Sequence, residues 1–479
     1  YILSLYPLVV DLDGTLIRTD MLHESMLRIL HDNPLKALCV PYWLWEGKAV
    51  LKQNLAGLAK INPTLTPYNH EFIDWLKHQR EEGRTLILCT ASDVSIANAI
   101  SNHLGIFDEV MASDGTINLA GKHKAEALVE RFGHAGFDYA GNSRADLAVW
   151  QCSRHAIVVN ASEKLAHKAE QLCEVEKVFE KPKLTIVVWS KLLRVHQWLK
   201  NSLLFIPLLA AHQLTNIDAN IALFLAFIAF SLCASSVYIV NDLLDLYSDR
   251  QHHRKSRRPF ASGVVPIWKG VVLAPLLLIA SLLLAWLVNM HFLAWMLFYF
   301  VLTCLYSWQL KRMVLIDCLT LTTLYTLRIV AGAAAVNMSL SFWLLAFSVF
   351  LFLSLAFVKR YAELEKILLH GKRRAHGRGY YTDDAPLIQT FGITSGYAAV
   401  LVLALYLNSD AVIKLYKTPQ IIWGAVPVML FWLSSMWVQA HRGKMHDDPI
   451  IFAIKDKASL LAGVIFASIL VIGTQEWSW

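Results

Sequence analysis

From about residue 189 onward, long apolar runs alternate with short charged segments. Each run has about 17–24 residues, and about 20 apolar residues suffice for a helix to cross the hydrocarbon core of a bilayer. The pattern therefore predicts an all-α polytopic membrane domain of about nine helices over residues 185–479. We place these helices near 185–209, 219–240, 267–287, 292–309, 315–336, 341–358, 393–408, 421–440 and 458–476.

The preceding part of the chain is of a different kind, because residues 1–183 carry charged side chains throughout. Over the whole sequence 56% of residues are hydrophobic and 17% are charged, against about 25% charged in ordinary soluble domains. The shift predicts a soluble α/β domain over 1–165 and a linker over 166–184. We expect no signal peptide, since the chain opens on a strand-like run. The seven scattered cysteines form no C-x-x-C pair, which argues against a disulfide framework or a zinc site.

Basic residues are unevenly distributed among the segments between the apolar runs. The loops near 249–260, 309–314, 359–392 and 441–457 hold about 18 lysines and arginines, whereas the opposite loops hold about 2. Lysine and arginine are enriched in the cytoplasmic loops of membrane proteins. The asymmetry predicts that these loops and the N-terminal domain lie in the cytosol. It also accounts for the net charge of +7 without a nucleic-acid partner.

Two carboxylates follow the first predicted strand. Asp11 and Asp13 stand two residues apart, so in an extended segment they point the same way, and Gly14 permits a sharp turn after them. Such a pair can hold Mg²⁺ while one carboxylate attacks phosphorus and the other moves a proton. The competing interpretation is a polar turn after a buried strand.

Three further residues appear in an order that favours phosphate chemistry. Thr90 ends a second apolar strand, where its hydroxyl could bind a phosphoryl oxygen or cap the next helix. Lys124 could neutralise a phosphoryl charge, although a single lysine is more often a solvated surface residue. Asp146 closes a segment, 137–146, that reads as a strand, a glycine turn and an acid.

The motif D-x-D-G-T, followed by a strand-end threonine, a lysine and G-[DN]-S-x-x-D, resembles the haloacid dehalogenase (HAD) superfamily over about residues 5–165. The resemblance implies a doubly wound parallel sheet, with a small helical cap at about residues 20–80. It also implies a role for each residue: Asp11 as nucleophile, Asp13 as acid/base, Thr90 and Lys124 as phosphate ligands, and Asp11, Asp13 and Asp146 at the Mg²⁺. Asn142 stands where the family usually has aspartate, so the domain is either a slower phosphatase or a degraded regulatory one.

The second predicted membrane helix ends in Asn241 and three aspartates, Asp242, Asp245 and Asp249. Their i, i+3, i+7 spacing predicts one helical face, where three carboxylates repel one another unless a divalent cation lies among them. Mg²⁺ there would bind a diphosphate, and the alternative is a solvated acidic helix end. A basic segment follows, which suits a bound phosphate with its metal: Arg250, His252, His253, Arg254, Lys255, Arg257 and Arg258.

Further charged clusters lie at the same level of the predicted membrane domain. They comprise Arg194, His196 and Lys200, then Lys311 and Arg312 after Tyr306, then Lys359, Arg360 and Glu363, and finally Asp447 and Asp448 with Lys455, Asp456 and Lys457. Each of the last three clusters alone is explained at least as well by positive-inside anchoring, whereas the first group predicts that the lower part of the first span faces a cavity. Asp317 and Arg328 are different, since they lie within an apolar run, where an ionisable residue usually has a function.

The motif N-D-x-x-D-x-x-x-D with its basic R-P segment resembles the UbiA superfamily of intramembrane prenyltransferases, over about residues 185–479. The resemblance implies nine helices around a central cavity with a cytosolic cap. Several segments are similar to the decaprenyl-phosphate phosphoribosyltransferase branch of that superfamily, which implies a bacterial inner (cytoplasmic) membrane: 194–201, 306–312, 357–364, 378–381 and 448–449. His253 departs from the pattern, because a proline often follows the histidine of the first motif.

The missing second acidic motif also favours that branch. Aromatic prenyltransferases of the superfamily normally carry a second aspartate-rich motif for a prenyl diphosphate donor. Here Asp317 is followed by Thr320 and Leu321 where another aspartate would stand. One acidic cluster with many cations better suits phosphoribosyl diphosphate and a lipid phosphate acceptor.

The resulting hypothesis is Mg²⁺-dependent transfer of 5-phosphoribosyl from phosphoribosyl diphosphate to a polyprenyl phosphate. The residues it uses are Asp242, Asp245 and Asp249 for Mg²⁺, Lys255 and Arg258 for the diphosphate or 5-phosphate, Lys200, Lys311 or Lys359 for the acceptor phosphate, and Asp317 for the ribose hydroxyls. Asn241, His252, Arg328 and Arg360 complete the predicted substrate-binding set. The HAD-like domain would then remove the 5-phosphate from the lipid product.

Two alternatives stay open at this point. One is prenyl transfer from a polyprenyl diphosphate to an aromatic or other acceptor. The other is a membrane-anchored HAD phosphatase whose helices only bind lipid, although a passive anchor needs neither the acidic cluster nor Asp317. The expected partners are the two substrates and membrane lipid, no nucleic acid is expected, and a homo-oligomer is compatible with the hypothesis.

Overall fold

The computed structural model describes residues 6–114, 118–369, 371, 379–445 and 448–475. The chain divides into two compact units. The first unit is Tyr1–Leu193 with Tyr238–Pro275, and the second unit is Arg194–Val237 with Leu276–Trp479. The first unit therefore includes not only the N-terminal domain but also the acidic motif and the basic segment after it.

Six parallel strands form one sheet in the first unit, in the order β3-β2-β1-β4-β5-β6. They are β1 (Leu8–Val10), β2 (Leu86–Asp93), β3 (Glu109–Ser113), β4 (Asp138–Gly141), β5 (His155–Ala161) and β6 (Glu174–Glu180). Leu8 and Val10 pack into the core on one face and Val9 into the core on the other, as alternation along a strand requires. The predicted doubly wound parallel sheet is confirmed, with the strand order reversing between β1 and β4.

Helices cover both faces of this sheet, and five helices precede β2, in the stretch predicted as the cap. In chain order they are α1 (Met21–Asp32), α2 (Pro34–Ala37), α3 (Val40–Glu46), α4 (Lys48–Ala59), α5 (His70–Glu81), α6 (Val94–Leu104), α7 (Lys122–Phe132), α8 (Leu147–Trp150), α9 (Glu163–Glu170) and α10 (Ile186–Leu193). Asp20 caps α1, because its side chain accepts hydrogen bonds from the backbone N–H groups of Leu22 and His23. The cap helices begin directly after the D-x-D-G-T motif.

The predicted linker over 166–184 was wrong. The end of α9 lies in it, and β6 pairs with β5 as the sixth strand of the sheet. Most side chains of β6 are exposed and charged, and only Phe179 is buried, at 3% exposure. An edge strand with one buried side chain has almost no hydropathy signal, which explains why the sequence pattern missed it.

The remaining helices form the predicted membrane domain. They are α11 (Ile206–Ala210), α12 (Ile217–Leu244), α13 (Leu246–Gln251), α14 (Ile267–Val288), α15 (Met290–Trp308), α16 (Ile316–Ala335), α17 (Phe342–Leu369), α18 (Ala385–Leu407), α19 (Asp410–Ile413), α20 (Pro419–Ile422), α21 (Ala425–His441), α22 (Pro449–Lys455) and α23 (Lys457–Gly473). Among the described residues, seven helices are long and apolar enough to cross a membrane, or eight if the bent pair α22–α23 is one span. The all-α polytopic domain is confirmed, and the count of about nine is corrected to seven or eight.

The run 185–209 is the predicted span that departs most from a continuous helix. The chain leaves α10 at Arg194, whose φ of 51° is left-handed, and continues as a 3₁₀ segment over Val195–Phe205 before α11. This segment packs so closely on α16 that a Cβ at Gly332 would lie 2.0 Å from the carbonyl oxygen of Leu204. Lys200 and Asn201 are buried in it with polar partners, so side-chain contacts rather than apolar length decide its shape.

Candidate active sites

The first site lies where β1 ends, beside the point at which the strand order reverses. Oδ1 of Asp11 accepts a hydrogen bond from Lys124 Nζ at 2.6 Å, and both side chains are buried. Oδ1 of Asp13 accepts from the backbone N–H of Met21 at 2.8 Å, and its Oδ2 accepts from Ser92 Oγ at 2.6 Å. The structure thus brings Asp11, Asp13 and Lys124 together, at the edge where doubly wound sheets bind ligands.

Burial changes the protonation of these groups. It raises the pKa of Asp11 to about 6, against the opposing charge of Lys124. It raises the pKa of Asp13 to about 7, with a further contribution from the negative charge of Asp20. Burial disfavours the charged form of Lys124, yet the adjacent Asp11 carboxylate raises its pKa overall. A carboxyl group with a pKa near 7 can both give and take a proton at neutral pH, which suits the predicted acid/base role of Asp13.

Two polar side chains at this site were not singled out from the sequence. The first is Ser92, whose hydroxyl donates to Asp13. The predicted residue Thr90 is fully buried, and its hydroxyl accepts a hydrogen bond from the backbone N–H of Ser92 at 3.0 Å. Lys52 of α4 reaches from the cap to the carbonyl oxygen of Ala91 at 2.7 Å. The T-x-S sequence at the end of β2 was the available signal for Ser92, whereas nothing local marks Lys52. The role of Thr90 as a phosphate ligand stays a prediction.

Asp146 has hydrogen bonds to both of its carboxylate oxygens. Oδ1 accepts from Tyr139 Oη at 2.8 Å, and Oδ2 accepts from the backbone N–H of Asn142 and from both the N–H and the hydroxyl of Ser143, at 2.8–3.0 Å. Tyr139 also accepts from Lys124 at 3.0 Å. Asp146 therefore orders the turn after β4 and supports Lys124, and its role as a direct metal ligand stays a prediction.

The turn after β1 and the turn after β4 are in close contact. Gly14 has a φ of +77°, and a Cβ at this position would lie 2.0 Å from Asn142 Nδ2. Asn142 therefore lies over the D-x-D-G-T turn. Asp11 and Asp13 offer hard carboxylate oxygens beside this turn, and their binding of Mg²⁺ stays a prediction.

The second site is the acidic motif. α12 ends at Leu244, and Asp245 breaks the helix, with φ −86° and ψ 8°, before α13 begins. The prediction of one continuous helical face was wrong in this respect. The break nevertheless keeps two carboxylates together, because Arg258 Nη1 lies 3.0 Å from Asp242 Oδ1 and 2.6 Å from Asp249 Oδ2.

Asp249 is the least exposed carboxylate of the motif, at 1%. Burial raises its pKa, although Arg258 opposes that shift. Among the described residues its Oδ1 accepts no hydrogen bond, and the nearest ion-pair partner of that oxygen is Lys255 Nζ at 3.9 Å. A buried carboxylate oxygen without a donor is a ligand that a hard divalent cation takes, so these residues fit Mg²⁺.

The other predicted residues of this region lie around the motif. His252 and Lys255 are exposed in the turn that follows α13, and the backbone N–H groups of Arg254 and Lys255 donate to the His252 ring at 3.3 and 3.4 Å. Asn241 is half-buried in the last turn of α12. Contacts of His252, Lys255 and Asn241 with a substrate stay predictions.

The third site lies in the second unit, around Asp448 at the start of α22. Its Oδ2 accepts hydrogen bonds from Lys200 Nζ at 2.8 Å and from Lys359 Nζ at 3.0 Å, and Tyr325 Oη lies 2.9–3.0 Å from both oxygens. We call Lys200, Tyr325, Arg328, Lys359 and Asp448 the Asp448 cluster. The sequence predicted its cations as substrate-binding residues, whereas Asp448 was placed in the charged cytosolic segment near 441–457 without a predicted role. The Asp-Pro pair at a helix start was the signal for a buried cap.

Arg328 is the third cation of the Asp448 cluster and is 5% exposed. Its guanidinium donates to Asn201 Oδ1 at 2.9 Å, to Tyr299 Oη at 3.0 Å and to the Leu324 carbonyl oxygen at 2.6 Å. It lies 5.7 Å from the centre of the Tyr325 ring, as does Lys200 Nζ. All of these hydrogen-bond partners are neutral, so they fix Arg328 in place without cancelling its charge.

Asp317 and Arg360 bind each other across α16 and α17. Arg360 Nε lies 2.7 Å from Asp317 Oδ2, both residues are fully buried, and Arg360 also pairs with Glu363. Tyr306 Oη donates to Asp317 Oδ1 at 2.9 Å. Their predicted contacts with substrate stay predictions, because in this arrangement each compensates the charge of the other. Lys311 is half-buried in the turn Leu310–Arg312, whereas Arg378 and Asp447, which belong to charged segments singled out in the sequence, lie outside the described residues.

One additional group has ligand atoms close enough for a metal ion within the described part of the chain. It consists of Asp138, His155 and Glu176 in the first unit. Arg84 pairs with Asp138 and Glu176, and Arg154 donates to Asp138 at 2.7 and 3.0 Å. Two arginines thus already compensate these carboxylates, and the group holds the first residues of β4 and β5 together.

The long apolar helices and the acidic motif define a polytopic membrane protein that carries an N-terminal α/β domain with a doubly wound parallel sheet. The chain belongs to the UbiA prenyltransferase family, whose model matches residues 202–455. It is 36% identical to the uncharacterised protein y4nM of Sinorhizobium fredii, over 97% of this chain and 90% of the relative. It is 34% identical to the nodulation protein NoeC of Azorhizobium caulinodans, over 58% of this chain and 91% of the relative.

A third relative carries an enzyme name. The decaprenyl-phosphate phosphoribosyltransferase of Mycolicibacterium smegmatis is 35% identical over 38% of this chain and 59% of its own length. Among solved structures, a UbiA homolog from Archaeoglobus fulgidus bound to GPP and Mg²⁺ is 16% identical and covers 60% of this chain and 98% of that chain, with a TM-score of 0.46. A phosphoserine phosphatase complex is 14% identical over 38% of this chain and 95% of that chain, with a TM-score of 0.28.

Proposed function

We propose that this protein transfers a 5-phosphoribosyl group from phosphoribosyl diphosphate to a polyprenyl phosphate, in a reaction that requires Mg²⁺. The observation that carries the proposal is the charge balance of the Asp448 cluster. Lys200, Lys359 and Arg328 bring three positive charges. Among the described residues Asp448 is the one carboxylate that pairs with the two lysines, and the hydrogen-bond partners of Arg328 are neutral. Two positive charges therefore remain for an anion.

A phosphate monoester matches that remaining charge, since such a group carries about −1.5 to −2 near pH 7. Uncompensated cations inside a membrane domain are costly, so they normally mark the position of a charged ligand. A neutral aromatic acceptor would leave the charge of the Asp448 cluster unmatched. The acceptor in this proposal is therefore a lipid phosphate, whose isoprenoid tail lies along the apolar helix surfaces.

The donor belongs to the acidic motif. Asp242, Asp245 and Asp249 would hold Mg²⁺, which supplies charge neutralisation to the leaving diphosphate. Arg258, which now neutralises Asp242 and Asp249, and Lys255 beside it offer donors to phosphate oxygens. These groups position the donor and stabilise the charge that develops on the diphosphate as it leaves.

The reaction exchanges one bond at C1 of the ribose. An acceptor phosphate oxygen forms the new bond to C1, and the bond from C1 to the diphosphate oxygen breaks. The attacking oxygen is already ionised at neutral pH, so the chain needs no general base for this step. The task of the lysines and arginines at each site is to cancel the charge of the anion bound there.

The relative from Mycolicibacterium smegmatis supports this choice, because it is named as a phosphoribosyltransferase that acts on decaprenyl phosphate. We further propose that the HAD-like domain hydrolyses the 5-phosphate of the lipid product. Asp11 would attack phosphorus, the ester P–O bond would break with a proton from Asp13, and water would then release phosphate from Asp11. Lys124 beside Asp11 would balance the charge of the phosphoryl oxygens. The positive-inside asymmetry supports a cytosolic face of the inner membrane for this domain.

The experiment is a transfer assay with purified protein, Mg²⁺, phosphoribosyl diphosphate and polyprenyl phosphates of several lengths, read out by the mass of the lipid product. We expect a gain of one phosphoribosyl unit, or of one ribose after hydrolysis. The Lys200→Gln variant should lose most of the product, whereas Lys191→Gln, an exposed lysine on α10, should not. Absence of product from the unmodified protein across all acceptor lengths would reject the proposal and direct the assay to prenyl diphosphates with aromatic acceptors.

A further inference from the structure

The cap helix of the HAD-like domain makes a buried ion pair with the segment that follows the acidic motif. Glu24 on α1 and Arg250 on α13 pair through two parallel hydrogen bonds, from Nη1 to Oε2 at 2.7 Å and from Nη2 to Oε1 at 2.6 Å. Their side chains are only 10% and 7% exposed. Both residues belong to the first unit, so the pair is internal to one compact body.

Arg250 carries this contact into the basic segment. Its Nε donates to the carbonyl oxygen of Ala261 at 2.9 Å, which ties α13 to the far end of the segment 249–263. Arg258 lies within that segment and bonds Asp242 and Asp249. Two sets of contacts therefore hold Arg258. Its own guanidinium pairs with the carboxylates of the acidic motif, and Arg250 fixes the segment in which Arg258 lies.

Two more contacts hold the same surfaces together. The Arg28 guanidinium lies 4.0 Å from the centre of the Tyr247 ring. Gly263 packs directly on Arg18, where an added Cβ would lie 2.7 Å from the Arg18 carbonyl oxygen. Glu24 is thus the charged centre of a packed contact rather than an isolated surface pair, which is the situation in which an ion pair has a large effect when one partner is removed.

On the other side, Glu24 is connected to the first site. Thr19 Oγ1 donates to Glu24 Oε1 at 2.6 Å, and the backbone carbonyl of Thr19 accepts the N–H of Gly14 at 3.0 Å. The first residue of α1, Met21, donates its N–H to Asp13. Residues 19–24 therefore contact the first site through Met21 and Thr19. Through Glu24 they also contact Arg250, which fixes the basic segment of the second site.

We propose that Glu24 is a positioning residue of the transferase, although it lies in the HAD-like domain. By fixing Arg250 it fixes the segment 249–263, and thereby the arginine that neutralises Asp242 and Asp249. The HAD-like domain is then a structural part of the transferase site and not only the carrier of a second reaction. The inference rests on the proposed function for its kinetic consequences, whereas the structural coupling is testable without it.

The test compares the full-length protein with Glu24→Gln, Arg250→Lys and a control, Glu71→Gln, an exposed glutamate at the start of α5. Hydrogen–deuterium exchange of residues 249–263 gives the structural readout. We expect faster exchange there in Glu24→Gln and in Arg250→Lys, which keeps the charge but cannot form two parallel bonds. We expect no change there in Glu71→Gln.

The kinetic readout is the Mg²⁺ concentration for half-maximal transfer, together with kcat and KM for phosphoribosyl diphosphate. Residues that orient ligating carboxylates typically contribute about 10–100-fold, so Glu24→Gln should raise the Mg²⁺ requirement about tenfold. A merely structural role would lower the amount of folded protein without moving the Mg²⁺ requirement.

Each combination of results decides something. If Glu24→Gln and Glu71→Gln have the same exchange in 249–263 and the same Mg²⁺ requirement, the inference is overturned while the proposed function stands. If the unmodified protein forms no phosphoribosyl lipid, the proposed function fails, and the exchange data alone decide whether Glu24 holds the segment. Faster exchange in both pair variants, with a raised Mg²⁺ requirement, supports the positioning role.

Discussion

Lys200 and Lys359 donate to the same oxygen of one carboxylate, Oδ2 of Asp448, at 2.8 and 3.0 Å. Two ammonium groups on one oxygen leave a positive charge that the carboxylate does not cancel, and Arg328 adds another nearby. Such an arrangement is expensive in a membrane domain unless an anion completes it. The choice of a lipid phosphate as acceptor follows from this relationship more than from any other feature of the second unit.

Replacing Asp448 with asparagine should impair transfer and also lower the stability of the second unit, because two lysines lose their shared counter-charge, so rates are compared per amount of folded protein. Asparagine caps a helix about as well as aspartate, so the start of α22 would be preserved. The two lysines would lose their shared counter-charge and their fixed positions. We expect kcat to fall about 10–100-fold, as for other residues that orient groups at a ligand site. Asp410→Asn, at the exposed start of α19, is the matched control, and equal rates for the two variants would contradict the role of the Asp448 cluster.

Asp249→Asn should raise the Mg²⁺ requirement of transfer. The variant removes the buried carboxylate whose Oδ1 accepts no hydrogen bond among the described residues. We expect the Mg²⁺ concentration for half-maximal rate to rise about tenfold or more, by analogy with other changes around metal ligands. Isothermal titration of Mg²⁺ provides a readout independent of turnover. Asp218→Asn, at the exposed opposite end of the same helix, should behave as the unmodified protein, and an unchanged requirement in Asp249→Asn would reject the assignment.

Hydrolysis of the 5-phosphate should slow as the pH rises through about 7. Asp13 must be protonated to donate to the leaving oxygen, and burial with the nearby Asp20 charge raises its pKa to about 7. The protonated fraction therefore falls above that pH, which gives a descending limb. Asp20→Asn keeps the cap of α1 but removes a negative neighbour, so it should shift the descending limb to lower pH. An unshifted limb would show that Asp13 is not the proton donor.

Two glycine variants test the packing of the second unit. Gly332→Ala should lower the free energy of unfolding by about 1–3 kcal/mol, the usual effect of overpacking, because its Cβ would lie 2.0 Å from the Leu204 carbonyl oxygen. Gly463→Ala lies on α23 with open space around the Cβ, so it should be neutral or stabilising by up to about 1 kcal/mol. Thermal unfolding in one detergent compares them. Equal melting temperatures would contradict the close approach of α16 to the 3₁₀ segment.

The sequence predicted best where chemistry and periodicity agree. Asp11, Asp13 and Lys124 were grouped correctly, because a D-x-D-G-T motif after a buried strand fixes both the turn and the edge of the sheet. The long apolar helices were also found, since their length alone identifies them.

Other features depend on tertiary contacts that no local pattern contains. The edge strand β6 was missed because only Phe179 of it is buried. The break at Asp245 was missed because the i, i+3, i+7 spacing describes a straight helix, whereas in the structure Arg258 pairs with Asp242 and Asp249 on either side of the break. The burial of Asp448 and its ion pairs were not predicted, because its partners Lys200 and Lys359 come from distant parts of the chain.

Offering the protein two donors at once distinguishes phosphoribosyl transfer to a lipid phosphate from prenyl transfer to an aromatic acceptor. Phosphoribosyl diphosphate carrying ¹³C in the ribose would compete with a prenyl diphosphate, in the presence of a polyprenyl phosphate, an aromatic acceptor and Mg²⁺. Tandem mass spectrometry then identifies the bond that has formed. We expect labelled ribose joined through C1 to the lipid phosphate, with or without its 5-phosphate, and no prenylated aromatic product. A prenylated acceptor without labelled lipid would contradict the proposed function.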